Sequence, residues 1–409
     1  MEAVLDRFLR YVRLDTQSDE SSTTYPSTAG QLALLRLLAD ELRSMGVPHV
    51  SMDEHGYVMA RIPATAPTAA PPVGFIAHVD TSPDMRGAAV RPQVLERYDG
   101  GAIPLDGEGQ YRLSPDEFPE LQRYVGQTII TARGDTLLGA DDKAGVAEIM
   151  CAAEQLAAHP ERPHGEVCLA FTPDEEVGRG VDHFDVARFG AAFAYTVDGG
   201  ALGELEYENF NAAAAKILVQ GRSVHPGYAK GKLVNALHVA AELGALLPPA
   251  ERPEHTEGYE GFFHLTHLEG GVEQATAQYI IRDHSRQRFG ARKALVQRCA
   301  DFLNAKYGAG AVRVELRDQY YNMREQVEPH FHVVELAMRA MEQAGVPPLV
   351  RPIRGGTDGS RLSYMGLPCP NIFAGGHNFH GRYEFIPLPS MEKAVAVLLN
   401  IVEMLHGGK

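Results

Sequence analysis

The chain reads as an α/β protein of two domains, a mixed sheet flanked by helices and interrupted by a smaller inserted α+β domain of ferredoxin-like order. Three observations predict this. The 409 residues exceed what one ordinary hydrophobic core serves. Strand-like apolar runs alternate with helical segments over 1–210 and again over 319–409, as a helix-covered parallel or mixed sheet requires. Between them, 211–318 reads as a self-contained β-α-β-β-α-β unit.

The elements follow in order. An amphipathic helix over 1–13 precedes a Ser/Thr-rich loop. GQLALLRLLADELRSMG forms a second helix that stops at Gly46, a natural residue just past a helix end. VSMDEHGYVMARIP is strand-like, and ATAPTAAPP leads into the strand before His78. The Pro- and Gly-rich stretch 91–133 reads as an excursion with short strands. A helix, KAGVAEIMCAAEQLAAH, follows Asp142, and the strands EVCLAFTP and AAFAYTV complete the first part. In the inserted domain the strands are AAKILVQGR, GFFHLTHLEG, TAQYIIRD and AVRVELRD, with helices VNALHVAAELGALL and RQRFGARKALVQRCADFLNAKYG. On that second helix Phe289, Leu295, Val296, Cys299, Phe302 and Leu303 recur on one face, as a helix lying on a sheet requires. The last part contains a helix (HFHVVELAMRAMEQAG), a strand (PLVRPI), a Gly-rich turn (RGGTDGS), a strand (CPNIFAG) and a closing helix (SMEKAVAVLLNIVEMLHG). No internal repeat is visible.

Bulk properties exclude several classes. A formal charge of −15 argues against nucleic acid or an anionic membrane as partner. The N-terminus alternates charged and apolar residues and lacks the apolar core of a signal peptide, and no run is long enough to span a bilayer, so a cytoplasmic protein is expected. Cys151, Cys168, Cys299 and Cys369 are widely spaced without a C-x-x-C pair, which fits reduced thiols. No G-x-G-x-x-G follows the first strand, against a dinucleotide-binding enzyme.

The chemistry-bearing residues are His78 and Asp80, Asp141 and Asp142, Glu175 and Glu176, Asp198, and His380. Most follow strand-like runs. Ligands of open α/β sheets bind beyond the carboxyl ends of the strands, so these residues are expected to converge. Histidines with carboxylates form a donor set that zinc accepts, and together they propose a two-metal hydrolase. Taken singly, each has an ordinary reading. His78-x-Asp80 is also a local hydrogen-bonded pair, Asp141-Asp142 a helix cap, Asp174-Glu175-Glu176 a solvated acidic loop, and Asp198 a turn former. His380 is also an ordinary loop histidine, with His377 a competitor for its role and Glu384 either an orienting neighbour or a surface acid. On the functional reading His78 is a ligand with Asp80 fixing its ring, and Asp141 bridges two metals. Glu176 is then a ligand and Glu175 the proton carrier. In the inserted domain His225 stands in a Gly/Pro turn and Asn235 opens a helix. Arg282 in that domain and Arg354 after it end strand-like runs. Turn, cap and solvation roles are the ordinary alternatives, against oxyanion support by His225 and recognition of a substrate carboxylate by the arginines.

HVDT, ADDKAG and DEEVG, with YTVDGG and HGRYEF, resemble the motifs of the M20 metallopeptidase family. YENFNAA, TEGYEGF and IRGGTDG are similar to its tripeptide-aminopeptidase branch, and the likeness covers nearly the whole chain without departure at the seven central positions. The resemblance implies a zinc-peptidase-like fold whose inserted domain serves as lid and dimerisation surface, giving a homodimer that acts on short peptides. It implies two Zn2+ per subunit, with Co2+ or Mn2+ as substitutes. His78, Asp141 and Asp198 would hold one ion, and Asp141, Glu176 and His380 the other. Asp80 would stand behind His78, a cis peptide would follow Asp141, and Glu175 would be the general base for release of the N-terminal residue from tripeptides. A deacylase or carboxypeptidase acting on N-acyl amino acids or dipeptides is the alternative on the same fold. A catalytically silent peptide-binding scaffold is the non-enzymatic one.

Overall fold

The apolar run before His78 forms the strand Val73–His78, all six residues buried, at the centre of an eight-stranded mixed sheet. In this computed structural model, which describes residues 1–407, the strand order is His49–Met52, Val58–Ile62, Val167–Thr172, Val73–His78, Phe193–Gly199, Asn371–Phe373, Glu204–Glu206, Leu349–Val350. Strands 167–172, 73–78, 193–199 and 371–373 are neighbours and parallel, so their carboxyl ends share one edge. The strand-like stretch VSMDEHGYVMARIP forms an antiparallel pair of strands, because Asp53 accepts the N–H groups of His55 and Tyr57 and turns the chain.

Helices cover this sheet. Ala140–Ala158 lies against it so closely that a Cβ on Gly145 would stand 1.8 Å from the Val197 carbonyl oxygen. Only a glycine lets the helix that begins beside Asp141 approach the strand that carries Asp198. Leu388–Gly407 and His332–Gln343 pack on the same unit. The excursion 91–133 supplies short strands, of which Ile129–Thr131 is the middle strand of a small antiparallel sheet, between Gln93–Leu95 and Phe385–Pro387. The stretch RGGTDGS is not wholly a turn. Thr357 and Ser360 form a reciprocal capping box, and Asp358–Tyr364 is helical.

Two compact units divide the chain. The first comprises 1–207, 325–351 and 357–409, and the second 208–324 with 352–356. Within the second, strands Phe262–Gly270, Gln274–Asp283, Asn211–Gln220 and Val312–Tyr320 form an antiparallel sheet in that order. Helices Ala236–Leu246 and Arg286–Tyr307 bury their apolar faces on it. Strand–helix order and sheet order are those of a ferredoxin-like fold. One expected core residue is displaced: Phe302 is 54% exposed, and the buried stripe runs through Phe289, Val296, Cys299, Ala300 and Leu303. A period near 3.6 places position 300, rather than 302, above the sheet.

All four cysteines are free and buried. Among the described residues no helix is long and apolar enough to cross a membrane.

Candidate metal centre

The shared carboxyl edge gathers the strand-end residues. His78 ends its strand, Asp198 lies near the end of 193–199, and Glu175 and Glu176 follow 167–172. Asp141 begins the helix Ala140–Ala158 and His380 sits in the loop after 371–373. Two groups form here: His78, Asp141 and Asp198, and Asp141, Glu176 and His380. The donor atoms within each group lie within 4.8 Å of one another.

Asp141 belongs to both groups. Its Oδ1 is 3.0 Å from His78 Nε2 and its Oδ2 is 3.1 Å from His380 Nε2. His78 Nε2 also lies 3.4 Å from Asp198 Oδ1, and His380 Nε2 lies 3.0 Å from Glu176 Oε2. The peptide between Asp141 and Asp142 is cis. The adjacent acids face different ways, since Asp142 accepts from the N–H groups of His78 and Gly145, joining strand end to helix start.

Asp80 is fully buried and does two things. His78 Nδ1 lies 3.1 Å from its carbonyl oxygen and 3.3 Å from its Oδ1, which leaves Nε2 facing the two acids. Its carboxylate also accepts the N–H of Glu175 at 3.0 Å and of Glu176 at 3.2 Å, so one side chain orients the ring and the acidic loop together.

The charge balance is that of a cation site. Burial opposes a charge on His78, but Asp198, Asp141 and Asp80 outweigh it and push its pKa well above the ordinary value. His380 is likewise pushed up to about 11, because Asp141 and Glu176 outweigh its burial. Burial and then Asp141 raise Glu176 to about 8, and burial raises Asp198 to about 6. Burial also raises Glu175, with Asp358, Asp198 and Glu176 adding to it against the opposing pull of His78. Asp141 alone among these acids is held down, by the two imidazoles it faces, while Glu175, Glu176 and Asp198 are held up, so the acids outnumber the positive charge beside them. Glu176 Oε1 is buried and has no hydrogen-bond partner. Two imidazole nitrogens, several carboxylate oxygens and one orphaned buried oxygen fit a pair of divalent cations.

His377 lies elsewhere. Its Nε2 is 2.7 Å from the Tyr124 hydroxyl, its ring stacks on Phe385, and burial lowers its pKa to about 4. Three further residues support the site. Asp174, first of the three acids, has φ +58° and accepts from Ser27, Gln31 and Arg179, anchoring the acidic loop. Asp358 accepts from Thr172, where that loop begins. Glu384 is buried against the turn that carries Asp141. Position among acids hinted at Asp174, but two of its three partners, Gln31 and Ser27, are 143 and 147 residues away and have no local signal.

The remaining candidates belong to the second unit. His225 is exposed, with Nδ1 accepting from Gly227 N–H. Asn235 caps its helix through Leu237 N–H. Arg282 donates to Ile281 O and Gln319 Oε1 and lies over Tyr320. Arg354 donates to Thr256, Gly258 and Glu260 and lies over Phe210, so it braces the 256–260 loop.

Fold and site together define a hydrolase of the metallopeptidase kind, and the comparisons agree. The model of peptidase family M20/M25/M40 matches residues 130–404, and the chain belongs to that family. It is 59% identical over 404 residues, 99% of each chain, to "Peptidase T" of Halothermothrix orenii. Its fold is similar to a solved aminopeptidase PepT from Bacillus cereus, with TM-score 0.76 and 23% identity over 98% of both chains. It is also similar to a tripeptidase from Staphylococcus aureus, with TM-score 0.79 and 20% identity over 99% of this chain and 98% of that one.

Proposed function

We propose that this chain is a dinuclear metal aminopeptidase that removes the N-terminal residue of tripeptides. The observation that carries the chemistry is the Asp141 carboxylate, whose two oxygens face two separate histidine–carboxylate pairs. The tripeptide preference is supported by likeness to the peptidase T relative and to the solved tripeptidase.

His78, Asp141 and Asp198 would hold one cation, and Asp141, Glu176 and His380 the other. The nitrogen and oxygen donors suit zinc, with cobalt or manganese as substitutes. When bound, such a pair supplies Lewis acidity for a peptide carbonyl and for water. Asp80 keeps Nε2 of His78 turned to the acids and holds the backbone of Glu175 and Glu176 in register with it. Glu175 takes the proton of the attacking water and delivers it to the leaving amine, held over the site by the bond from its own N–H to Asp80 Oδ1. Among the second-unit residues we assign His225 to oxyanion support, and Asn235, Arg282 and Arg354 to substrate recognition. Dimerisation through this unit is supported by its edge strand Phe262–Gly270, which is paired on one side and exposes Leu265 and Leu268.

The test is turnover by metal-reconstituted protein on di-, tri- and tetrapeptides with free or acetylated amino termini. Hydrolysis confined to free-amine tripeptides is expected. Preference for the acetylated peptides would establish the deacylase reading instead.

A further inference from the structure

Glu384 ligates nothing in the chemistry above, yet it is only 1% exposed. Its Oε2 accepts the N–H groups of Leu138 at 2.7 Å and Gly139 at 2.8 Å, and its Oε1 accepts that of Asp141 at 3.1 Å. These donors sit where the helix Ala140–Ala158 begins, with Gly139 at φ +84° in the turn before it. Asp141 and Asp142 have non-helical backbone angles, so these donors lie in the turn ahead of the regular helix and need an acceptor from elsewhere in the fold. One carboxylate therefore takes three backbone N–H groups of the turn that presents Asp141.

The other side of this contact is the loop that presents His380. Two non-glycine residues in it, Asn378 at φ +56° and His380 at φ +63°, lie in the left-handed region. Such residues persist where surrounding contacts over-determine them. The flanks of the loop are closed by reciprocal backbone bonds between His377 and Phe385, and Asn378 Nδ2 donates to Tyr383 O. Those bonds shape the loop internally. Glu384 ties it to the Asp141 turn, across 243 to 246 positions of sequence.

We propose that Glu384 is a positioning residue that locks the His380 loop onto the Asp141 turn and so presets the spacing between Asp141 Oδ2 and His380 Nε2. This inference rests on the metal reading of the site. Its consequence is unequal: the Asp141–Glu176–His380 group depends on both loops, whereas His78 and Asp198 are held by strands of the sheet. Loss of Glu384 should weaken the first group more than the second. Glu384→Gln keeps the volume but removes the charge, and its NH2 would face backbone donors.

The experiment is cobalt(II) titration of metal-free protein, read by visible absorption and by chelator competition, with circular dichroism and thermal unfolding on the metal-free form. Wild type should take two equivalents per chain. Glu384→Gln should fold as wild type does, bind its second equivalent about 10–100-fold more weakly and show an altered visible band. Two equivalents with wild-type affinity and spectrum would overturn the proposal. Fewer than two equivalents in wild type would instead sink the metal reading itself. If the Gln variant does not fold, Glu384→Asp replaces it. That side chain keeps the charge but is one methylene too short to reach all three N–H groups, so the same loss is expected and wild-type binding overturns the idea.

Discussion

Replacing Glu175 by Gln separates proton transfer from metal binding. The substitution keeps shape and size, and the bond that places the residue, from its own N–H to Asp80 Oδ1 at 3.0 Å, is made by the backbone and survives. Glu176, with its own N–H on Asp80 Oδ2 and its Oε2 beside His380, should stay in place. Metal content should therefore remain close to that of wild type. Stability should hold or rise, because burial and the acids Asp358, Asp198 and Glu176 already oppose a charge on Glu175. What is lost is a general base, an effect of about 10²–10⁴-fold in kcat. At about 1.4 kcal/mol per decade, that adds roughly 3–6 kcal/mol to the barrier. The assay is the steady-state rate of free-amine tripeptide hydrolysis, alongside elemental analysis and a thermal melt. A kcat within about tenfold of wild type at unchanged metal content would refute the assignment. A fall in metal content would show Glu175 to be a ligand.

Two further perturbations test neighbouring parts of the reasoning. His380→Ala should lower metal occupancy, whereas His377→Gln, which can still hydrogen-bond to Tyr124, should leave it unchanged; the opposite pattern in elemental analysis would reverse the choice of histidine. Gly145→Ala drives a Cβ to 1.8 Å from Val197 O and should cost about 1–3 kcal/mol in thermal or denaturant unfolding, with unchanged stability showing that the helix can move off the sheet freely.

Much of the architecture was legible because it is written locally. Continuous apolar runs of six or so residues mark strands buried on both faces, and Val73–His78 and Val167–Thr172 are wholly buried. A period near 3.6 marked the helix Arg286–Tyr307, although it named Phe302 where Ala300 is the buried residue. The helix Asp358–Tyr364 escaped notice because two glycines and a turn-forming Asp disguise its capping box. Likewise, no composition shift sets 352–356 apart, yet those residues group with the second unit.

By itself the sequence determined the strand–helix alternation, the ferredoxin-like order of 211–318 and the acids and histidines at the strand ends, since periodicity, caps and turns depend on neighbours along the chain. Only tertiary structure decided how those side chains divide the work. Three consecutive acids diverge: Asp174 is tied to Ser27 and Gln31, Glu176 stands beside His380, and Glu175, half-buried, feels the charges of His78, Asp358 and Asp198. His377 and His380, three residues apart, part company because one ring is taken by Tyr124 and Phe385. Glu384, which in sequence reads as either an orienting neighbour or a surface acid, gains three amide partners about 240 positions away. Such partners are chosen by distance and burial in space, and no local pattern encodes them.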